Sequence, residues 1–257
     1  MRYVLGSRAS IGGVLGSGRG GAAAALPVTG AVLWLDASQI TGLSDGAAIS
    51  TWTDATGNGY NATQGGASTL KPTYKTNIAN GKPVVRFDGG DWLALTDTLT
   101  ITSLSVCVVW KSAGTNGRMV DMRGTGANGA AIGWHIKQSN PINNEIITFD
   151  NGAGAFRQLQ NVTPSTTDFH IYAGTYSAGI PGLWLDGVPT GTLVSVGTMG
   201  SISTTKLLHI GTNVNGQSTQ FYTGDIAEII LYDSALGTTD RQATQTYLGT
   251  KYGITVS

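Results

Sequence analysis

An all-β sandwich with a single C-terminal helix is the fold this chain predicts, and three observations carry the prediction. Glutamate occurs only twice, as Glu145 and Glu228, and charged residues are 12% of the chain against about 25% in an average soluble domain. That is not the composition of a helical bundle. Glycine contributes 38 residues, and Gly, Asn and Asp turn signals punctuate the chain throughout. Between those signals stand short apolar or alternating runs, spaced by roughly 8–20 residues, which is the rhythm of a sandwich. At 257 residues the chain is at the upper range for one all-β domain, and its 40% hydrophobic content can fill one sizeable core.

The elements follow in order. Residues 31–36 read as a first strand, 56–59 as a turn, and 83–89 as a strand ending on Asp-Gly. The run 104–110 is the strongest strand, with Leu104, Val106, Val108 and Trp110 on one face. Residues 132–136 and 145–149 look like a following pair. Next come 169–176 and 183–186, the latter turning at Asp186-Gly187 into a hairpin. Residues 207–210 and 226–232 close the set. Residues 238–253 read as a helix that opens on threonine caps, repeats Ala243, Tyr247, Leu248 and Tyr252 at helical spacing, and stops at Gly253. The Gly/Asn/Thr-rich segments 112–118, 123–128 and 211–220 read as loops.

Several function classes drop out. Fifteen basic and fifteen acidic residues give a formal net charge of zero, without the basic excess of a general nucleic-acid binder. No run approaches the ~18 apolar residues of a membrane-spanning helix. The single cysteine, Cys107, excludes an internal disulfide framework and reads as a small buried hydrophobe. Residues 1–27 differ from the rest: they carry Arg2, Arg8 and Arg19, no acid, and mostly Gly, Ala and Ser. Glycines and arginines interrupt every apolar run there, so the segment lacks the core of a signal peptide. It is expected to be a flexible docking arm that orders against an acidic partner surface, followed by one domain over 28–257.

Catalytic residues are not expected. A glycosidase needs two carboxylates about 5–9 Å apart across one bond. Glu145 and Glu228 sit on separate strands without an acid two residues away, and Asp88, Asp186 and Asp233 end strands at turns. Glu228 shares a predicted face with Ile226, Ile230 and Tyr232, so it needs a partner. Arg86, mid-strand in a similar apolar setting, is the expected one, which makes Arg86–Glu228 a structural ion pair. Asp54, Thr56 and Asn58 place oxygens at positions 1, 3 and 5 of a loop with glycine at 6. That pattern fits a Gly-rich turn or a weak calcium site. His135, His170 and His209 are not spaced as zinc ligands. Strand alternation, however, sets His135, Tyr172, Tyr176, Trp184 and His209 opposite aliphatic neighbours. If the aliphatic sides face the core, these five form either a second face packed by loops or a carbohydrate-binding surface.

Leu-Trp-Leu-Asp-Ala-Ser (33–38), Trp-Thr-Asp-Ala-Thr-Gly-Asn-Gly (52–59), Gly-Lys-Pro-Val-Val-Arg-Phe-Asp-Gly (81–89), Leu-Trp-Leu-Asp-Gly (183–187) and Gly-Asp-Ile-Ala-Glu-Ile-Ile-Leu-Tyr-Asp (224–233) occur in sequence, ahead of a short helix ending in Lys-Tyr-Gly-Ile. Together they resemble the concanavalin A-like lectin/glucanase superfamily, in its laminin-G-like bacterial and phage branch. The resemblance implies a jelly-roll of two antiparallel sheets over residues 31–254. It also implies calcium in some members, though the Glu-x-Asp-x-Glu run of the glucanases is missing here. The fold hosts enzymes, lectins and structural modules. By analogy with phage decoration and fibre proteins, the expected function is a non-enzymatic virion component. Its arm would dock on a capsid, collar or tail protein, and its jelly-roll, in many copies, would reach surface glycans. The alternative is a free bacterial lectin or adhesin on the cell surface or secreted.

Overall fold

The run 104–112 anchors the architecture because it is apolar on both sides. In the computed structural model, which describes residues 25–114, 117–125, 131–137, 147–200, 202, 204–213 and 220–257, this run lies inside an antiparallel sheet with packed layers above and below. Leu104, Val106, Val108 and Trp110 face the space between two sheets. Cys107 and Val109 face a second apolar layer under the C-terminal helix. Burial pushes the Cys107 thiol up to about 12, so it behaves as the small hydrophobe the sequence predicts.

The strands in chain order are β1 (Leu33–Asp36), β2 (Thr51–Trp52), β3 (Ala62–Thr63), β4 (Thr73–Ala79), β5 (Lys82–Asp88), β6 (Leu93–Leu95) and β7 (Leu99–Ile101). Then come β8 (Leu104–Ser112), β9 (Arg118–Asp121), β10 (Gly124–Thr125), β11 (Ala131–Lys137), β12 (Ile147–Asn151), β13 (Phe156–Gln160) and β14 (His170–Ser177). The last are β15 (Ile180–Leu185), β16 (Val188–Pro189), β17 (Thr192–Val196), β18 (Thr204–Lys206), β19 (His209–Ile210) and β20 (Thr223–Tyr232), ahead of α1 (Thr238–Tyr252). One sheet runs β16-β15-β14-β8-β20-β5-β4, with β1 also on β20. A second runs β17-β13-β12-β11-β9-β19-β6-β3-β2, with β10 on β11, and β7 pairs with β18 in a small third sheet. All pairings are antiparallel, as the sandwich reading requires. The Asp186-Gly187 hairpin also forms, with φ of 51° and 89° at its two turn residues.

Strand β20 organises the first sheet through a bulge. Ile226 lies opposite Trp110 and Glu228 opposite Val109, which leaves Ala227 as the extra residue. Before the bulge, Thr223–Ile226 pair with β5; after it, Glu228–Leu231 pair with β1. The bulge also reverses side-chain parity. Ile226 faces the inter-sheet core, whereas Ala227, Ile230 and Tyr232 belong to the layer under α1. The expected face shared by Ile226 and Glu228 is therefore corrected: Glu228 keeps company with Ile230 and Tyr232 only.

The expected Arg86–Glu228 pair is corrected for the same reason. Arg86 is in register with Asp225, before the bulge, and donates to both of its carboxylate oxygens at 2.7 and 2.9 Å. Glu228 instead meets the helix. Its Oε1 accepts the Trp34 indole N–H at 2.7 Å, and its Oε2 accepts from Lys251 Nζ at 2.7 Å and from the Tyr252 hydroxyl at 2.8 Å. Lys251 also donates to Asp36 Oδ2 at 2.7 Å. Burial raises the Glu228 carboxyl above its ordinary range, and the nearby Asp36 charge adds to this. Burial works against the Lys251 ammonium, but the Glu228 and Asp36 charges outweigh it and hold the lysine above its ordinary value.

Helix α1 starts after Gly237, which caps it without a side-chain bond, so the threonine cap expected from sequence is not the device used. It ends at Gly253 in the left-handed region, as expected. Leu26 and Val28 already pack against the helix-side layer, and the Tyr232 hydroxyl donates to the Val28 carbonyl at 3.1 Å. Chain from residue 25 onward thus touches the body; Arg2, Arg8 and Arg19 of the expected arm lie outside the described residues.

Substituting Lys251→Met leaves two carboxylates facing each other without a cation, and is expected to cost about 3–5 kcal/mol in urea denaturation. Adding Glu228→Gln should recover part of that loss. A double variant no more stable than the single would contradict the charge cluster as described.

Candidate functional site

Strands β8 and β20 of the first sheet are buried on both faces, and the second sheet carries its polar side chains on its outer side. There the strand registers build a polar row. Ala94, His209, Asp121, His135, Thr148, Gln158 and Val194 stand opposite one another in turn across β6, β19, β9, β11, β12, β13 and β17. Their neighbours Val120, Ile136, Ile210 and Ile147 point the other way into the core. Strand alternation alone produces this division.

A second bulge adds a charge to the row. Lys137 lies opposite Arg118 but Ile136 lies opposite Val120, so Met119 is the extra residue in β9. Arg118 and Asp121, three apart, therefore share the outer face. Arg118 NH1 stands 2.8 Å from Asp121 Oδ2, while its Nε donates to Gln220 Oε1. Asp121 Oδ1 accepts the Arg123 backbone N–H at 2.8 Å. The Arg123 guanidinium lies 3.6 Å from Asp121 and 3.4 Å from Asp150.

Asp121 and His135 are fully buried at the floor of this face. Trp92, His209, Arg123, Asp150 and Gln158 are partly exposed above and around them. The Trp92 and His209 rings lie 6.1 Å apart with a 35° tilt. Burial lowers the His209 pKa; the Asp121 charge opposes it. The face thus carries two partly exposed aromatic rings together with guanidinium, carboxylate and amide groups. Such a surface can stack the C–H side of a ring and hydrogen-bond its hydroxyls. Both carboxylates are committed to arginines. Among the described residues, no group of three His, Cys, Asp or Glu side chains is arranged to hold a metal ion.

Of the five residues predicted for a sugar surface, the structure brings together His135 and His209, which flank Asp121. The other three are corrected. Tyr172 stacks on Trp110 at 4.7 Å and Tyr176 on Phe149 at 4.3 Å, both inside the inter-sheet core. Their aliphatic neighbours Ile171 and Ala173 face the layer under α1 instead. Because the first sheet is apolar on both faces, the aliphatic side of β14 does not mark the inter-sheet core. Trp184 also lies under α1, with the Arg241 guanidinium 3.9 Å above its ring. Sequence reasoning missed Trp92, Arg118, Asp121 and Arg123. The signal was the charged–apolar mixture Arg118-Met-Val-Asp-Met-Arg123, hidden by the glycines bracketing it.

The predicted calcium loop resolves as a turn. Asp54 Oδ1 accepts the backbone N–H groups of Trp34 and Thr56 at 3.1 and 3.0 Å, and both carboxylate oxygens accept the Thr56 hydroxyl. The Thr56 hydroxyl in turn accepts the Asn58 N–H, and the Asn58 amide donates to the Val32 carbonyl. Donors surround the carboxylate where a cation needs bare oxygens, so Asp54, Thr56 and Asn58 pin the loop to β1 and the calcium assignment is corrected. Asp54→Ala should destabilise the fold by about 1–3 kcal/mol through its stranded donors. Added calcium or chelator should leave the melting temperature unchanged; a calcium-dependent shift lost in this variant would restore the metal reading.

Asp91, on the turn that carries Trp92, is buried and its carboxyl is pushed up to about 7 by burial, helped by the Asp88 charge. A carboxyl raised on folding contributes stability at acid pH that disappears as pH climbs through the folded value. Stability should therefore fall between pH 4 and pH 7, about 4 and about 7 being its free and folded values. Asp91→Asn should flatten that fall and raise the melting temperature at pH 8; an unchanged pH profile would exclude Asp91 as its source.

A family profile described as the concanavalin A-like lectin/glucanases superfamily matches residues 87–240. No curated protein matches the chain. Among solved structures, domain 4 of the GH43 extracellular arabinanase AbnA from Geobacillus stearothermophilus, in complex with arabinotriose, aligns over 78% of this chain and 98% of that one, at 15% identity and a TM-score of 0.56. The Trypanosoma rangeli sialidase in complex with the inhibitor DANA aligns over 86% of this chain but only 33% of its own, at 15% identity and a TM-score of 0.49. The heptameric SAP-like pentraxin of Limulus polyphemus aligns over 62% of this chain and 78% of its own, at 18% identity and a TM-score of 0.45.

Proposed function

We propose that this chain, which belongs to the concanavalin A-like lectin/glucanase superfamily, is a non-enzymatic glycan-binding structural module. In this reading residues 1–27 dock it on a virion in many copies, and the outer face of the second sheet meets the sugar. The observation that carries the proposal is the partly exposed Trp92–His209 pair beside Arg123 and Asp150, over a buried charged floor. A ring stacked on Trp92 would bring its hydroxyls toward charge-assisted partners. The arabinanase domain of the same fold was solved with a bound trisaccharide, which is in keeping with a sugar ligand.

The non-enzymatic reading rests on the state of the acids. Asp121 and Asp150 are engaged by Arg118 and Arg123. Glu228, raised by burial, is enclosed under α1 on the other side of the sandwich. Asp121, Asp150 and Glu228 thus each have a structural partner, which supports the non-enzymatic reading. The virion reading rests on the acid-free segment carrying Arg2, Arg8 and Arg19, attached to a low-charge, turn-rich body.

A single shallow sugar site binds near millimolar, about 4 kcal/mol, so multivalent display governs detection. On a glycan array probed with the full chain in multivalent form, reproducible binding is expected. Trp92→Ala and His209→Ala should each weaken it by tenfold or more, about 1.4 kcal/mol. A blank array, or binding that both variants retain, would refute the site. Loss of residues 1–24 should abolish incorporation into particles while leaving sugar binding intact. Normal incorporation without them would favour the free-lectin alternative.

A further inference from the structure

We infer that the hollow between residues 39–43 and β2 is a second sugar subsite, which takes the end residue of a neutral oligosaccharide whose next rings run toward Trp92. The inference rests on the glycan reading above and extends it: the ligand is a chain, and the protein holds its end.

Placement comes from the strand register. The outward row of the second sheet does not stop at Ala94. It continues through Thr63 on β3 to Thr51 on β2. With neighbouring strands about 4.8 Å apart, Thr51 lies three strands and about 14 Å from His209. Thr63 and Ala94, the side chains between them, are small and partly exposed. Trp92 stands two residues before Ala94, on the same side of the chain. A single sugar on Trp92 does not reach β2, but a short chain laid along the row does. The strand order ends at β2, and residues 39–43 stand beyond it, so such a chain ends in the hollow.

The lining fits one sugar residue. The hollow holds about 320 Å³, at the small end of the range for ligand sites, about 300–1,000 Å³. Gln39 and Thr41 line one wall, and Ser50, Thr51 and Thr53 the other. These hydroxyl and amide groups both donate and accept, as sugar hydroxyls require. Ile40 and Leu43 add apolar surface for the C–H side of a ring. The backbone contributes as well. The Gln64 N–H donates to the Ser50 carbonyl at 3.0 Å, so Thr51, next in the ladder, turns its own N–H and C=O away from β3 and toward the hollow. Strand β2 is two residues long, which suits these groups to a small ligand rather than to another strand. No charged side chain lines the hollow among the described residues. The Ser50 hydroxyl already accepts from Lys71 Nζ at 3.0 Å. Neutral sugars therefore match it better than acidic ones.

Both walls are held without a ligand. On one side, Asp36 Oδ1 accepts the Ser38 N–H at 2.9 Å and its hydroxyl at 2.6 Å, and the Ile40 N–H closes on the Ala37 carbonyl at 3.2 Å. On the other, residues 46–49 are tied to the chain at β4. Gly46 donates to the Tyr74 carbonyl at 2.7 Å, Tyr74 to the Ala47 carbonyl at 2.8 Å, and Ile49 to the Pro72 carbonyl at 2.8 Å. A hollow fixed in advance loses little of its binding energy to ordering.

The test is a chain-length series. Neutral linear oligosaccharides of one to six residues, in glucose, galactose, mannose, rhamnose and arabinose series, are titrated into the full chain by calorimetry. The expected result is an affinity that rises at least tenfold between the single sugar and the four-residue member of a series. Thr51→Phe and Thr41→Phe, one on each wall and both at exposed positions, should each remove that rise while keeping single-sugar binding and the melting temperature. Trp92→Ala should weaken every length. No rise with length, or a rise that survives both wall variants, overturns the subsite and leaves the Trp92 surface standing. Sugar binding absent at every length overturns the glycan reading and the subsite with it.

Discussion

Glu228 is fully buried away from bulk solvent, and the packing of α1 follows from that constraint. A buried carboxylate survives only with charge and hydrogen bonds supplied by its surroundings. Here they come from three separate parts of the chain: Trp34 on β1, and Lys251 and Tyr252 at the end of α1. Lys251 extends the link to Asp36, so one ammonium ties the helix to both β1 and β20. Apolar contact through Leu248 and Tyr252 supplies adhesion, which is non-directional. The charge cluster supplies position, because two 2.7 Å bonds to one nitrogen are satisfied in a single seating of the helix.

The cluster exists because of the bulge at Ala227. Without that extra residue, Glu228 would keep the parity of Ile226 and point into the apolar space between the sheets, away from Lys251. The bulge at Met119 does the equivalent in the second sheet: it turns Arg118 outward to share a face with Asp121. Each sheet thus uses one irregularity to place a charge where alternation would misplace it. One serves the helix side of the first sheet and the other the outer side of the second.

This asymmetry decides where function can reside. Strands β8, β14 and β20 are covered by the second sheet on one side and by α1 with the chain around Leu26 and Val28 on the other, while Arg86 on β5 stays partly exposed. The second sheet shares its inner face with the core and leaves an outer face of charged, amide and aromatic groups. The proposed glycan reading accordingly uses the second sheet.

Strands β1, β5, β8, β11, β12, β14, β15, β19 and β20, the hairpin at Asp186-Gly187 and the helix stop at Gly253 were legible in the sequence, because each depends on local periodicity or on one residue's backbone preference; β9 and β13, short and mixed in polarity, were not. The inward face of β8 was legible for the same reason. Parity across a bulge was not legible, so Arg86 was assigned Glu228 when its partner is Asp225. Nor could alternation reveal that β14 lies between two apolar layers, which is why Tyr172 and Tyr176 were placed on an open face. Which strands adjoin, and hence that His209, Asp121 and His135 form one row, was decided by tertiary structure alone. These residues are 14 and 74 apart in sequence from His135 to its two neighbours, and only the long-range hydrogen bonding of β9 to β11 and β19 brings them together.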